Sequence, residues 1–153
     1  MNSKKELYSE LVPKVSALID KEANIIANLA NIAAILKAEL SCLWVGFYLV
    51  EGKELVVGPF QGPVACTTIA FGRGVCGKCW ELKETILVDD VSQFADHIAC
   101  SADSKSEIVV PVFDSNNNNV QMVLDIDSSH LAAFDEEDKS GLEAIATLIT
   151  VLL

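Results

Sequence analysis

The sequence is short of positive charge: 11 lysines and arginines stand against 22 aspartates and glutamates, a formal net charge of -11 and a pI near 4.4. Such a surface offers nucleic acid or an anionic bilayer no electrostatic attraction, so neither is expected as a partner. Long apolar runs are missing as well. The most apolar stretch, Ile25 to Leu36, is too short to span a bilayer and carries Asn28 and Asn31, so it reads as a buried helix. A secretory leader is not expected, because Met-Asn-Ser-Lys-Lys-Glu-Leu opens straight onto a charged amphipathic segment, and the expected location is cytoplasmic. No internal repeat is visible. Nor is there an even set of cysteines: Cys42, Cys66, Cys76, Cys79 and Cys100 are five. A structural disulfide framework is therefore not expected, which leaves reactive thiols or a metal site.

What is present is a foldable chain. Its 153 residues, 51% of them hydrophobic, suit one domain with one core. Lys4 to Asp20 places Leu7, Leu11, Val15 and Leu18 on one helical face, with Pro13 expected to bend or break it. Lys21 to Glu39 is a second, richly apolar helix. From Cys42 the texture turns to strands: Leu43 to Val50, the turn Glu51-Gly52-Lys53, and Glu54 to Val57 as a hairpin, then Ala65 to Phe71. A short helix is expected over Val75 to Lys83 after Gly72-Arg73-Gly74. Thr85 to Val88 is extended, and a loop runs to about Ser106. Glu107 to Phe113 and Val120 to Ile126 are two strands joined by an asparagine-rich turn. Acidic residues after Phe134 open a last helix that runs to the C-terminus. The pattern predicts an α+β layer: a mainly antiparallel central sheet, with the N- and C-terminal helices on one face and loops plus a short helix over the other. As a single domain over 1–153, it divides into N-terminal helices at about 4–39, sheet and site loops at about 42–128, and the last helix at about 135–153.

Chemistry concentrates in sulfur and carboxylate. Cys42, in an apolar strand start, suits plain packing, as free cysteines often do. Cys76, Cys79, His97 and Cys100 spell C-x2-C-x17-H-x2-C, close to a Cys3His zinc spacing. Against a zinc site, Cys79 sits in a regular helical turn, and a chain of this length folds without metal. A redox reading uses the same residues differently. A thiolate attacks an oxidised centre and becomes a sulfenic acid; a second cysteine condenses with it, and an external dithiol resets the pair.

Six ordered motifs sharpen the choice. They are Trp44-Val45-Gly46-Phe47-Tyr48, Gly58-Pro59-Phe60-Gln61-Gly62, Gly74-Val75-Cys76-Gly77, His97-Ile98-Ala99-Cys100, Lys105-Ser106-Glu107-Ile108-Val109-Val110-Pro111 and Val123-Leu124-Asp125-Ile126-Asp127-Ser128. Together they resemble the free methionine-(R)-sulfoxide reductase family over about Trp44 to Glu143. The resemblance implies a GAF fold, a homodimer, reduction of free methionine-(R)-sulfoxide, a thioredoxin-type dithiol as reductant, and no bound cofactor. It puts Cys100 in the position of the nucleophile and gives resolving duty to Cys66 or Cys76, with Cys66 favoured as first partner. It assigns Trp44 and Tyr48 to the methyl and thioether end of the substrate, and Glu107, Asp125 and Asp127 to the sulfoxide and ammonium. Cys79 departs from the family set and is read as a helix residue facing the core. The alternatives are a GAF module that only senses a small ligand, and the zinc-binding domain.

Asp125 and Asp127 flank one strand residue and so share a sheet face. A carboxylate about 5 Å from Cys100, at an effective dielectric near 20, opposes its ionisation by roughly 3 kcal/mol, or about two pK units. Three such groups would keep Cys100 protonated unless one of them keeps its own proton instead. A protonated carboxyl is also the donor that polarising S=O requires. The expectation is a raised pKa at Glu107 or at one of the aspartates, and a site covered by the loop from Val88 to Ser106.

Overall fold

The computed structural model describes residues 2–98 and 100–153. Helix α1 (Lys4–Leu18) starts in a capping box: the Ser3 hydroxyl accepts the Glu6 N–H, and the Glu6 carboxylate accepts the Ser3 N–H. The helix runs unbroken through Pro13, so the break that the proline allowed does not occur. Proline forfeits one hydrogen bond there, but Leu11 and Val15 on either side are fully buried and anchor the helix across it. Helix α2 (Ile25–Leu40) begins later than the apolar pattern suggests, because Asn24 caps it by accepting the Ile26 N–H. Asn28 secures the preceding turn through Asp20.

Strands β1 (Trp44–Glu51) and β2 (Glu54–Gln61) form the expected hairpin, with Gly52 in the left-handed region at its tip. Strand β2 runs beyond Val57. Its register with β1 slips so that Gly46 faces Phe60 while Tyr48 faces Val57, and Pro59 sits in this bulge, where no ladder donor is needed. Strand β3 (Thr68–Ala70) is shorter than expected, which puts Cys66 on the preceding loop rather than on a strand. Helix α3 (Gly74–Leu82), strand β4 (Ile86–Val88), a single 3-10 turn at Val91–Gln93, strands β5 (Ser106–Phe113) and β6 (Val120–Ser128), and helix α4 (Glu136–Thr150) complete the chain.

The sheet order is β3-β2-β1-β6-β5-β4, with every neighbouring pair antiparallel. Strand β6 therefore returns to pair with β1, and the first and last strand groups meet in the middle of the sheet. Alternation sorts the side chains. Val45, Phe47, Ile108, Val110, Leu124 and Ile126 face α1, α2 and α4 in the main core. Trp44, Tyr48, Val109 and Val123 face α3. The expected α+β layering is what forms. Among the described residues no helix is long and apolar enough to cross a membrane.

Helices α1 and α4 meet where Gly141 lies flat against the ring of Tyr8. The Tyr8 hydroxyl donates to Asp138 Oδ1 at 2.8 Å, and the Lys4 ammonium reaches Ala133 O at 2.7 Å and pairs with Asp138. A Cβ at position 141 would overlap a ring that this bond prevents from stepping aside. Gly141→Ala therefore lowers stability by about 1–3 kcal/mol through overpacking, outweighing the roughly 1 kcal/mol gained in helix propensity. Urea unfolding checks this: the midpoint falls, and a rise would mean that the helix contact yields.

Candidate active site

Register across β1, β6 and β5 assembles the site. Trp44 on β1 stands opposite Asp127 on β6, and Asp127 stands opposite Glu107 on β5. One row along, Gly46 is opposite Asp125, which is opposite Val109; in the next, Tyr48 is opposite Val123. All of these residues share the α3 face. The result is a sheet floor carrying three carboxyls, with aromatic rings at one end. Trp44 stacks between Tyr48 (centroids 5.8 Å apart) and Phe60 (5.1 Å). A Cβ on Gly46 would crowd the Trp44 ring at 2.8 Å, so the glycine is what lets the indole lie there.

Both aromatic residues also fix the loop that carries Cys66. Trp44 Nε1 donates to Pro63 O at 3.1 Å, and the Tyr48 hydroxyl donates to Cys66 O at 3.0 Å. Cys66 is joined to Cys100 in a disulfide, Cα atoms 5.4 Å apart across a sequence separation of 34. Cys100, His97 and Ile98 come from the loop between β4 and β5, and Cys76 comes from the first turn of α3. With Trp44, Tyr48, Glu107, Asp125 and Asp127 they line one pocket. Every residue that the resemblance assigned to the site, except Cys66, thus lines that pocket, and Cys66 is bonded to a residue that does. Ser104 is a member the sequence reading missed: its hydroxyl donates to Asp127 Oδ1 at 2.9 Å. A loop serine two residues before a strand carries no pattern that would single it out.

The electrostatics follow from burial. Desolvation, then Asp125 and Asp127, push the Glu107 carboxyl well above its ordinary range. Desolvation and Asp125 do the same to Asp127, with the Ser104 bond pulling back. Asp125 is raised by burial but drawn down by hydrogen bonds from Glu107 and Cys76. Its Oδ1 is buried and has no hydrogen-bond partner among the described residues. Burial and then Asp125 push the Cys76 thiol well up, and burial lowers the His97 pKa against the opposing pull of Asp125.

Cys42 and Cys79 are packing residues. Cys42 is buried in the main core. Cys79 is fully buried on α3, its thiol turned to Val109 O at 3.6 Å. The spacing that suggested zinc does not assemble, because Cys79 points at the sheet and Cys100 is spent in a disulfide. The ligand-type atoms that do converge belong to Cys76, Glu107 and Asp125, within 4.8 Å of one another.

A family profile for the GAF domain matches residues 22–153. GAF domain-containing protein A of Dictyostelium discoideum is 51% identical over 148 residues, 96% of this chain and 92% of its own. The free methionine-R-sulfoxide reductase of Escherichia coli is 41% identical over 152 residues, 99% of this chain and 91% of its own. A free methionine-R-sulfoxide reductase from Neisseria meningitidis, solved in complex with its substrate, superposes with a TM-score of 0.95 at 48% identity, covering 99% of this chain and 91% of that one.

The raised carboxyls have a measurable consequence for folding. Each binds its proton more tightly in the folded chain than in the unfolded one, so the stabilisation is complete below the unfolded carboxylate pKa of about 4. It is lost progressively as the pH rises from there through the raised folded values. Glu107→Gln, neutral at every pH, should remove part of that slope and be more stable than the parent at alkaline pH. Urea midpoints measured from acid to alkaline pH check this. Parallel pH profiles for parent and variant would show Glu107 to be an ordinary carboxylate.

Proposed function

The chain belongs to the GAF domain family and, within it, to the free methionine-(R)-sulfoxide reductases, which are oxidoreductases, and on that footing we propose how its pocket performs the reduction. The observation that carries the proposal is the bond between Cys66 and Cys100 at the edge of a pocket floored by three carboxyls, two of them buried outright. Free methionine-(R)-sulfoxide enters with its methyl and sulfur against Trp44 and Tyr48, where sulfur–aromatic contact favours it by roughly 0.3–1.5 kcal/mol. Its ammonium meets Asp125 and Asp127, offsetting the negative charge that would otherwise oppose a thiolate. Glu107 supplies the proton that polarises S=O.

Cys100 thiolate attacks the sulfoxide sulfur. The sulfur–oxygen bond breaks as the proton from Glu107 arrives, leaving Cys100 bonded to a sulfonium sulfur and releasing hydroxide. The hydroxide attacks the Cys100 sulfur, and the bond to the substrate sulfur breaks with its electron pair going to that sulfur. The substrate leaves as the thioether while Cys100 is a sulfenic acid. The Cys66 thiol then attacks that sulfur, water departs, and the disulfide forms. A thioredoxin-type dithiol returns the pair to thiols by exchange, itself becoming a disulfide, so no bound cofactor is needed. Cys76, held as a thiol beside Asp125, is the second resolving residue and acts after Cys66. The loop after β4 closes over the amino-acid end, which denies a peptide-linked sulfoxide an exit for its chain. The enzyme acts as a cytoplasmic homodimer.

Turnover of free methionine-(R)-sulfoxide with thioredoxin and its reductase tests the reading. Cys100→Ser loses activity by about a thousandfold or more, as removal of a nucleophile does. Cys66→Ser yields close to one methionine per chain in a burst and then slows. A serine variant at position 100 with full activity would assign the nucleophile elsewhere. Substrate binding without turnover by the parent would make the domain a ligand sensor. Equal rates on peptide-bound and free sulfoxide would remove the specificity claim.

A further inference from the structure

Between Asp90 and Lys105 the chain carries Cys100 across the pocket, and one ion pair outside the pocket ties this loop to α3. Arg73 is the residue before α3 and makes no side-chain cap there. Its guanidinium reaches across 23 residues of sequence to Asp96: Nε donates to Oδ2 at 2.6 Å and Nη2 to Oδ1 at 2.8 Å. This is a bidentate fork, the geometry in which an arginine fixes a carboxylate's orientation as well as its distance. Asp96 Oδ2 also accepts from the Gly74 N–H at 3.4 Å, placing its charge where the first N–H groups of α3 lack partners.

The backbone at Asp96 supports the same contact. Its φ is +67°, in the left-handed region that aspartate and asparagine enter more readily than most side chains. The reversal there sends the chain back so that His97, Ile98 and Cys100 line the pocket. Ile98 then packs on Gly74, where a Cβ would meet its side chain at 3.1 Å. Neither Arg73 nor Asp96 lines the pocket, and both are substantially exposed, at 59% and 38% of the side chain.

We propose that Arg73 and Asp96 are positioning residues for the redox pair, clasping the Cys100 loop to the start of α3 so that Cys100 stays within closing distance of Cys66. This rests on the reading of Cys66 and Cys100 as the working thiols. The step served is the attack of the Cys66 thiol on the sulfenic sulfur of Cys100, which forms the S–S bond and releases water. Its rate depends on how much of the time the two sulfurs are within reach. A clasp on the loop raises that fraction without touching the substrate. An exposed pair contributes little to global stability, so its removal should act on loop opening rather than on unfolding.

The test uses Asp96→Asn, which keeps a side chain suited to the left-handed backbone and removes the charge, and Arg73→Gln. Reduced enzyme is mixed with one equivalent of methionine-(R)-sulfoxide, and disulfide closure is followed by acid quench and alkylation of the remaining thiols. Closure slows by about threefold in each variant, the scale of an exposed ion pair. Added salt slows the parent toward the variants and leaves the variants unchanged, because only the parent has a charge pair to screen. Urea midpoints stay at the parental value. Equal closure rates with equal salt dependence would overturn the clasp, and so would a rise in KM with closure unaltered. In a second arm, the Cys66–Cys100 disulfide is equilibrated with glutathione buffers. There the variants favour the dithiol by about the same factor, and no shift would count against the clasp even if the parent failed to turn over the sulfoxide.

Discussion

Three carboxyls on one face of a buried sheet cannot all be charged, and most of this molecule's chemistry follows from that constraint. Glu107 and Asp127 are directly paired across β5 and β6, and Asp125 lies one row along. Each is at least half enclosed by protein, and Glu107 and Asp125 are buried outright. The least costly arrangement keeps protons on some of them. A neutral acid in a pocket is a hydrogen-bond donor that water cannot provide as well. The same burial disfavours a folded state at alkaline pH, so the site is a local cost that the main core on the other sheet face offsets.

The division of the two faces explains how that cost is carried. On one side α1, α2 and α4 bury an apolar layer with no carboxyl from the sheet in it. On the other, a single helix, one loop and a disulfide close over a mixed surface of aromatic rings, thiols and acids. Trp44 and Tyr48 serve both layers of the site. Their rings form its wall, and their polar atoms hold the segment that delivers Cys66. Substituting either aromatic would thus disturb the pocket wall and the Cys66 segment together.

Much of this was legible in the residues. The alternation of β6 was enough to put Asp125 and Asp127 on one face, and the glycine turns bounded α3 correctly to within a residue. The pairing of Cys66 with Cys100 came from a likeness to known reductases, since spacing alone left a zinc site open. What stayed hidden was non-local. Glu107 opposite Asp127 is a matter of strand register between segments that a turn joins, and Arg73 with Asp96 joins a helix start to a loop 23 residues on. Local rules also yielded to packing. Pro13 did not break α1, because the residues beside it are locked in the core, and β2 passed Gly58 and Pro59 by means of a bulge.

Infrared difference spectroscopy of the reduced, substrate-free enzyme at neutral pH addresses the protonated carboxyl directly. The account predicts a carbonyl-stretch band of a neutral carboxylic acid in the parent that is weakened in Glu107→Gln by the loss of the Glu107 contribution. A parent spectrum with every carboxyl in the ionised form would contradict it.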